Sequence, residues 1–271
     1  MLRPEVLDYY KRGGEHHRLT AGAGRLEFLR TWDVLTRVLP PAPATVLDVG
    51  GATGVYAVPL AGLGYSVQVV DPVPEHVAHA ATLPGVTAVL GDARALPAAS
   101  GAADAVLLFG PLYHLLARAD RVTAWREAAR VTRPGGVVLG ATISRFASFF
   151  DGFANDRFGD AAFRPLVEGA LSDGMHRPSL PERGWFTSAY FHHPDEPAAE
   201  AAEAGLVVRQ MVSVESPLWM IGPRLDDILA SPERTALLLE MLRQIETEPT
   251  LLGASSHQLT VAVAAGAAAA A

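Results

Sequence analysis

Between residues 25 and 38 the apolar side chains Leu26, Leu29, Trp32, Leu35 and Val38 recur at every third position, which lines them along one face of a helix. Pro40, Pro41 and Pro43 end that helix, because proline has no N–H to continue its hydrogen bonds. From Thr45 the period changes. Short apolar, β-branched runs at 45–49, 66–70, 86–90, 103–109 and 136–143 read as buried strands, and the alanine-rich stretches 55–61, 75–81 and 121–131 between them read as helices. Such alternation predicts a parallel sheet with helices on both faces.

After the fifth strand the rhythm breaks. Residues 145–190 form an insertion too long for a plain connection, with helical pieces followed by a loop rich in Pro, Gly and aromatic residues. A helix at 196–204, a strand at 206–214, a second insertion at 217–253 and a last strand at 258–263 follow. The chain thus divides into a helical lead-in (1–44), an α/β core (45–144), an insertion (145–190), the rest of the core (191–265, interrupted by 217–253) and an alanine-rich tail (266–271).

Composition narrows the classes. With 271 residues, 49% hydrophobic and 19% charged, the chain has the makeup of a globular protein with a sizeable core. A net charge of -7 disfavours nucleic acid as a partner, since phosphate binding needs a basic face. The absence of cysteine excludes disulfides, thiolate metal sites and cysteine nucleophiles. The polar start of the chain lacks a secretory core, and the most apolar stretch, 105–117, is too short for a membrane span. A cytoplasmic protein without membrane partners is expected.

The chemistry concentrates where the first strand ends. Val46-Leu47-Asp48-Val49-Gly50-Gly51-Ala52-Thr53-Gly54 is a strand entering a glycine-rich turn ahead of a helix. Gly50 and Gly51 give the turn its backbone freedom, Gly54 permits close approach, and the N–H groups at the helix start face an anionic group. Asp71 ends the second strand about twenty residues after the first glycine, where a carboxylate accepts ribose hydroxyls in nucleoside-binding α/β folds. Asp92, followed by Ala93, ends the third, where it can accept a hydrogen bond from an adenine amino group. A dinucleotide fingerprint fits less well, because it calls for glycine at positions 52 and 55, which are Ala52 and Val55.

In these residues the chain resembles the class I S-adenosylmethionine-dependent methyltransferases, whose first motif reads Asp/Glu-x-Gly-x-Gly-x-Gly and here is Asp48-Val49-Gly50-Gly51-Ala52-Thr53-Gly54. Ala52 departs from the pattern at its middle glycine. Asp71 and Asp92 match the ribose and adenine positions, Phe109-Gly110-Pro111-Leu112-Tyr113 follows the fourth strand, and Arg133-Pro134-Gly135-Gly136 leads into the fifth. The resemblance implies a doubly wound, mostly parallel, seven-stranded α/β sheet with its last strand antiparallel, plus helical cap insertions. It also implies S-adenosyl-L-methionine as cofactor, held by Asp48, Gly50, Gly51, Gly54, Asp71, Asp92, Ala93, Phe109 and Gly110. The lead-in helix would fold over the cofactor, bringing Tyr10 or Arg25 to the methionine carboxylate.

The implied activity is in-line methyl transfer to a small-molecule acceptor, a metabolite or natural product. Tyr113 and His114 stand just beyond the fourth strand, either as acceptor contacts and proton acceptor or as a packed aromatic pair. The aromatic residues of the insertion and His193 are further acceptor candidates, the alternative being the core of a cap. Both insertions are expected to close over the strand ends. No metal site is expected, since no two histidines have the helical i, i+4 spacing. Two other functions use the same fold: a non-methylating reaction with the cofactor retained, or a binding or regulatory protein.

Overall fold

The computed structural model describes residue 6 and residues 19–266; Tyr10 and the end of the alanine-rich tail lie outside them. Helix α1 (Gly22–Val38) precedes the sheet, and β1 (Thr45–Val49), α2 (Ala57–Gly62), β2 (Ser66–Asp71), α3 (Pro74–Ala80), β3 (Val86–Leu90) and β4 (Ala103–Leu108) alternate as the hydrophobic runs require. A short helix α4 (Pro111–His114) and the long α5 (Arg118–Val131) lead into β5 (Thr132–Ser144). After the first insertion come α8 (Glu196–Glu203), β8 (Leu206–Ser213) and finally β9 (His257–Ala264). The core strands lie in the order β3-β2-β1-β4-β5-β9-β8, all parallel except β9, which runs antiparallel to both neighbours. The expected seven-stranded sheet is therefore present.

Alternation of side chains across the pleat divides the core into two layers. Leu47, Val49, Val106 and Leu108 face α5 and α8, packing with Trp125, Ala128 and Ala201. Val46, Val69, Ala105 and Leu107 face the other way, against Val34 and Leu35 of α1 and Leu60 of α2. Strands buried on both faces explain why their sequences are continuously apolar rather than alternating.

The first insertion contains more strand than its sequence indicates. It forms α6 (Ala147–Ala154), α7 (Phe163–Asp173) and a hairpin of β6 (Met175–His176) with β7 (Ala189–His192). β5 outruns β4, and its last residues pair with β7 in parallel, Ile143 with Phe191 and Ser144 with His192. Tyr190 to His192, read as loop and α/β restart, are thus the middle of a sheet extension above the end of β4.

The second insertion takes a different seat from the one expected. Its helices α9 (Pro223–Leu229), α10 (Pro232–Ile245) and α11 (Pro249–Leu252) include the pair that packs Leu225, Leu229 and Leu242 on Leu26 of α1. Arg30 donates to Asp33 (2.6 Å) and Glu246 (2.7 Å), and the partly exposed Arg37 and Arg243 complete an ionic knot between α1 and α10. Among the described residues no helix is long and apolar enough to cross a membrane.

Candidate active site

The turn after β1 is shaped by contacts that only glycine allows. Gly50 has φ +77°, and a Cβ there would stand 2.8 Å from the Pro111 ring; at Gly51 a Cβ would fall 2.5 Å from Oδ2 of Asp48. These close approaches open a cavity of about 370 Å³ at the carboxyl ends of β1, β2 and β4. Asp48, Gly50, Gly51, Asp71, Asp92, Ala93, Phe109, Gly110, Tyr113 and His114 all line it. Gly54 does not, for its Cα packs toward Leu83, where a Cβ would come within 2.5 Å of a methyl group.

Asp71 is nearly buried and organises the turn. Its Oδ2 accepts the N–H of Ala52 (3.0 Å), its Oδ1 accepts that of Val73 (2.9 Å), and His76 Nδ1 lies 3.2 Å from Oδ1. Asp48 is buried completely, and among the described residues neither of its carboxylate oxygens has a hydrogen-bond partner. Burial, reinforced by the nearby charge of Asp71, raises its pKa to about 7. An unsolvated carboxylate in a cavity wall calls for a donor or cation from a ligand.

Asp92 is held differently. Arg94 donates to it through its backbone N–H (2.9 Å), Nε (2.9 Å) and Nη2 (2.6 Å), and through Nη1 to Asp120 (3.1 Å). This pairing keeps the Asp92 carboxyl well below the usual range. Arg94 and Asp120 line the cavity, as do Tyr56 and His76, none of which the sequence motifs single out. The Gly-Asp-Ala-Arg spacing after β3 was the available signal for Arg94.

Tyr113 and His114 sit on α4 with their rings edge to face at 4.7 Å, and Phe186 of the first insertion packs on both, at 6.2 and 5.8 Å. Burial lowers the His114 pKa to about 4, against the opposing pull of a Ser188 backbone contact and the Asp71 charge. The imidazole is therefore neutral at neutral pH.

Two expected residues lie elsewhere. His193 points outward from the end of β7, its side chain 53% exposed and its Nδ1 2.5 Å from Asp195, because the strand pairing of His192 turns the next residue to solvent. Arg25 lies on the exposed side of α1 and does not line the cavity. Among the described residues the cavity walls fall within residues 19–120, and neither insertion contributes one of them. Three donors that the chain spaces far apart also converge: Glu27, Glu215 and His257 bring ligand-type atoms within 4.8 Å of one another, where histidine spacing had indicated no metal group.

A glycine turn after β1, carboxylates at three strand ends and a sheet with antiparallel β9 make up the Rossmann-like fold seen in class I S-adenosylmethionine-dependent methyltransferases. Residues 46–136 match the family described as "Methyltransferase domain". An uncharacterized methyltransferase of Mycobacterium tuberculosis is 40% identical over 100 residues, which is 36% of this chain and 40% of that protein. The chain thus spans about two fifths of the length of the curated relatives it matches. Among solved structures, an S-adenosylmethionine-dependent methyltransferase from Mesorhizobium loti superposes with a TM-score of 0.59 at 16% identity, over 88% of this chain and 99% of that one. The [4+2]-cyclase SpnF superposes at 0.55 with 18% identity, over 88% and 81%. At those identities the structures speak for the fold.

Proposed function

We propose that the chain transfers a methyl group from S-adenosylmethionine to a small-molecule acceptor. The observation that carries this reading is the Asp48 carboxylate, buried without a partner among the described residues in a cavity whose other walls include Asp71, Asp92 and the glycine turn. That acceptor set fits the cofactor: Asp71 for the ribose diol, Asp92 for the adenine amine and Asp48 for the cationic methionine end. When bound, the cofactor supplies a methyl group already made electrophilic by its sulfonium.

What the chain adds is placement. Tyr113 and His114 stand in the same cavity and would contact the acceptor. A general base works best with a pKa near the working pH, and His114, at about 4, is three units or so too weak. An orienting role therefore fits His114 better than proton removal. The first insertion acts as the acceptor's cap in this reading, supported by the Phe186 contact to both rings; the second, on α1, stabilises the lead-in. A cytoplasmic setting belongs to the same reading, as does the absence of a nucleic-acid partner, which the net charge of -7 supports.

Calorimetry with S-adenosylmethionine, followed by mass spectrometry for S-adenosylhomocysteine in the presence of acceptor candidates and co-purifying metabolites, tests it. Saturable binding and formation of S-adenosylhomocysteine are expected. Preference for a nicotinamide dinucleotide would overturn the cofactor assignment. A second reading, cofactor retained for a non-methylating reaction, is supported by the neutral His114 and by the shared fold of the cyclase; it is favoured if an acceptor is converted with no S-adenosylhomocysteine formed.

A further inference from the structure

Several buried carboxylates in this chain are matched to arginines. Asp33 and Glu246 meet Arg30, Arg37 and Arg243, and Glu200 meets Arg121. Glu215, just past β8 and 1% exposed, instead accepts the Ser255 hydroxyl (2.7 Å) and the His257 N–H (3.0 Å) on Oε2, and faces Nδ1 of His257 (2.6 Å) with Oε1. Glu27 of α1 brings its Oε2 to 3.6 Å from the same nitrogen.

From this geometry we infer that Glu27, Glu215 and His257 form a binding site for a divalent first-row cation, of the Zn²⁺ or Mn²⁺ kind. One imidazole nitrogen and two carboxylates are a donor set that suits such ions. Ligand atoms at about 2.0–2.2 Å from a shared metal stand roughly 3.0–3.5 Å apart, and the observed separations of 2.6 and 3.6 Å lie on either side of that range. Small side-chain rotations would equalise them.

The support behind the donors is also that of a built site. The Ser255 hydroxyl accepts the backbone N–H groups of Glu215 (3.0 Å) and Ser216 (3.1 Å) while donating to the Glu215 carboxylate, which fixes that carboxylate's direction. The three donors come from α1, the end of β8 and the start of β9. His257 pairs with Ile143 at the carboxyl end of β5, the same end of the sheet as the cavity. Phe28, the neighbour of Glu27, stacks on cavity-lining Tyr56 at 5.5 Å. A cation here fastens α1 to the sheet beside the cofactor cavity.

The test is calorimetric titration of the full chain, stripped with a chelator, by Zn²⁺ and separately by Mn²⁺, with thermal unfolding measured alongside. One saturable equivalent and a raised Tm are expected. Glu27→Gln and His257→Gln, each checked for folding by circular dichroism, should lose about tenfold or more in affinity. His193→Ala, which removes the exposed His193–Asp195 pair, should change nothing. No saturable binding by either ion, or binding that survives both substitutions, overturns the proposal and leaves His257 as an imidazole hydrogen-bonded to Glu215.

Discussion

The backbone N–H of Ala52 donates to Oδ2 of Asp71 across 3.0 Å, from a residue whose φ is +46°. The middle position of the glycine motif is therefore held in the left-handed region by a residue with a Cβ. That conformation costs an L-residue about 1–2 kcal/mol, while glycine returns roughly 0.4–1 kcal/mol through the freedom of the unfolded chain. Ala52→Gly should stabilise the protein by up to about 1 kcal/mol, a rise of roughly 2–4 °C in Tm for a domain of this size. Differential scanning calorimetry decides it, and a lower Tm would mean that the methyl group has packing of its own.

Asp48 should impose a pH dependence of known sign. Its folded pKa of about 7 lies above the ordinary 3.8. Between those values the folded chain keeps a proton that the unfolded chain has lost, so this group's contribution makes stability fall as pH rises from about 4 to about 7. Asp48→Asn cannot ionise. The stability of the variant relative to the parent should therefore climb through that window, at up to about 1.4 kcal/mol per unit. Binding of the cationic cofactor should show the reverse, tightening with pH in the parent and staying flat in the variant. Urea titrations and calorimetry at several pH values measure both; parallel stability curves would place the Asp48 pKa at its ordinary value.

Asp71 serves the fold as well as the ligand. Its oxygens accept two backbone N–H groups inside the structure. Asp71→Ala should therefore loosen the turn and lower stability, leaving two donors unsatisfied at about 1–3 kcal/mol each. Asp71→Asn keeps one acceptor and is the cleaner probe. It should weaken cofactor binding by about 1.5–3 kcal/mol, the value of a hydrogen bond to a charged group. Unchanged affinity in a folded Asn variant would remove Asp71 from the ribose site.

Arg121 links the cavity to the far helix layer. It is almost wholly buried, pairs with Glu200 at 2.7 Å, and donates through Nη1 to the carbonyls of Leu115 (3.1 Å) and Leu116 (2.9 Å), both of which line the cavity. Arg121→Met leaves the Glu200 charge buried and should cost about 3–5 kcal/mol. Adding Glu200→Met should recover most of that stability. The double variant should still bind the cofactor more weakly, since the loop carbonyls lose their donor. Full recovery of affinity would show that the loop is held by its own turn.

How much of this was legible in the chain follows from what each feature depends on. The strands at 45–49 and 86–90 are read to the residue, because a run of β-branched residues between proline and glycine stops is a local property. Asp48, Asp71 and Asp92 could be assigned to one cavity because a parallel sheet puts the carboxyl ends of its strands on one side whatever the details of packing.

Other features depend on contacts between segments that are distant in sequence. Whether His193 or Tyr113 meets the ligand turns on the pairing of β7 with the overhang of β5, which no periodicity records. The stripe read on α1 omitted Arg30 and Asp33, which are buried only because Glu246 and Arg243 arrive from more than two hundred residues away. Glu27, Glu215 and His257 meet for the same reason. The sequence by itself determined the order of elements and the turn that faces the ligand, since both follow from short-range backbone and solvation preferences. Only the tertiary structure decided which charged side chains are drawn inside and which face the cavity, because that choice is made by the partners that long-range packing supplies.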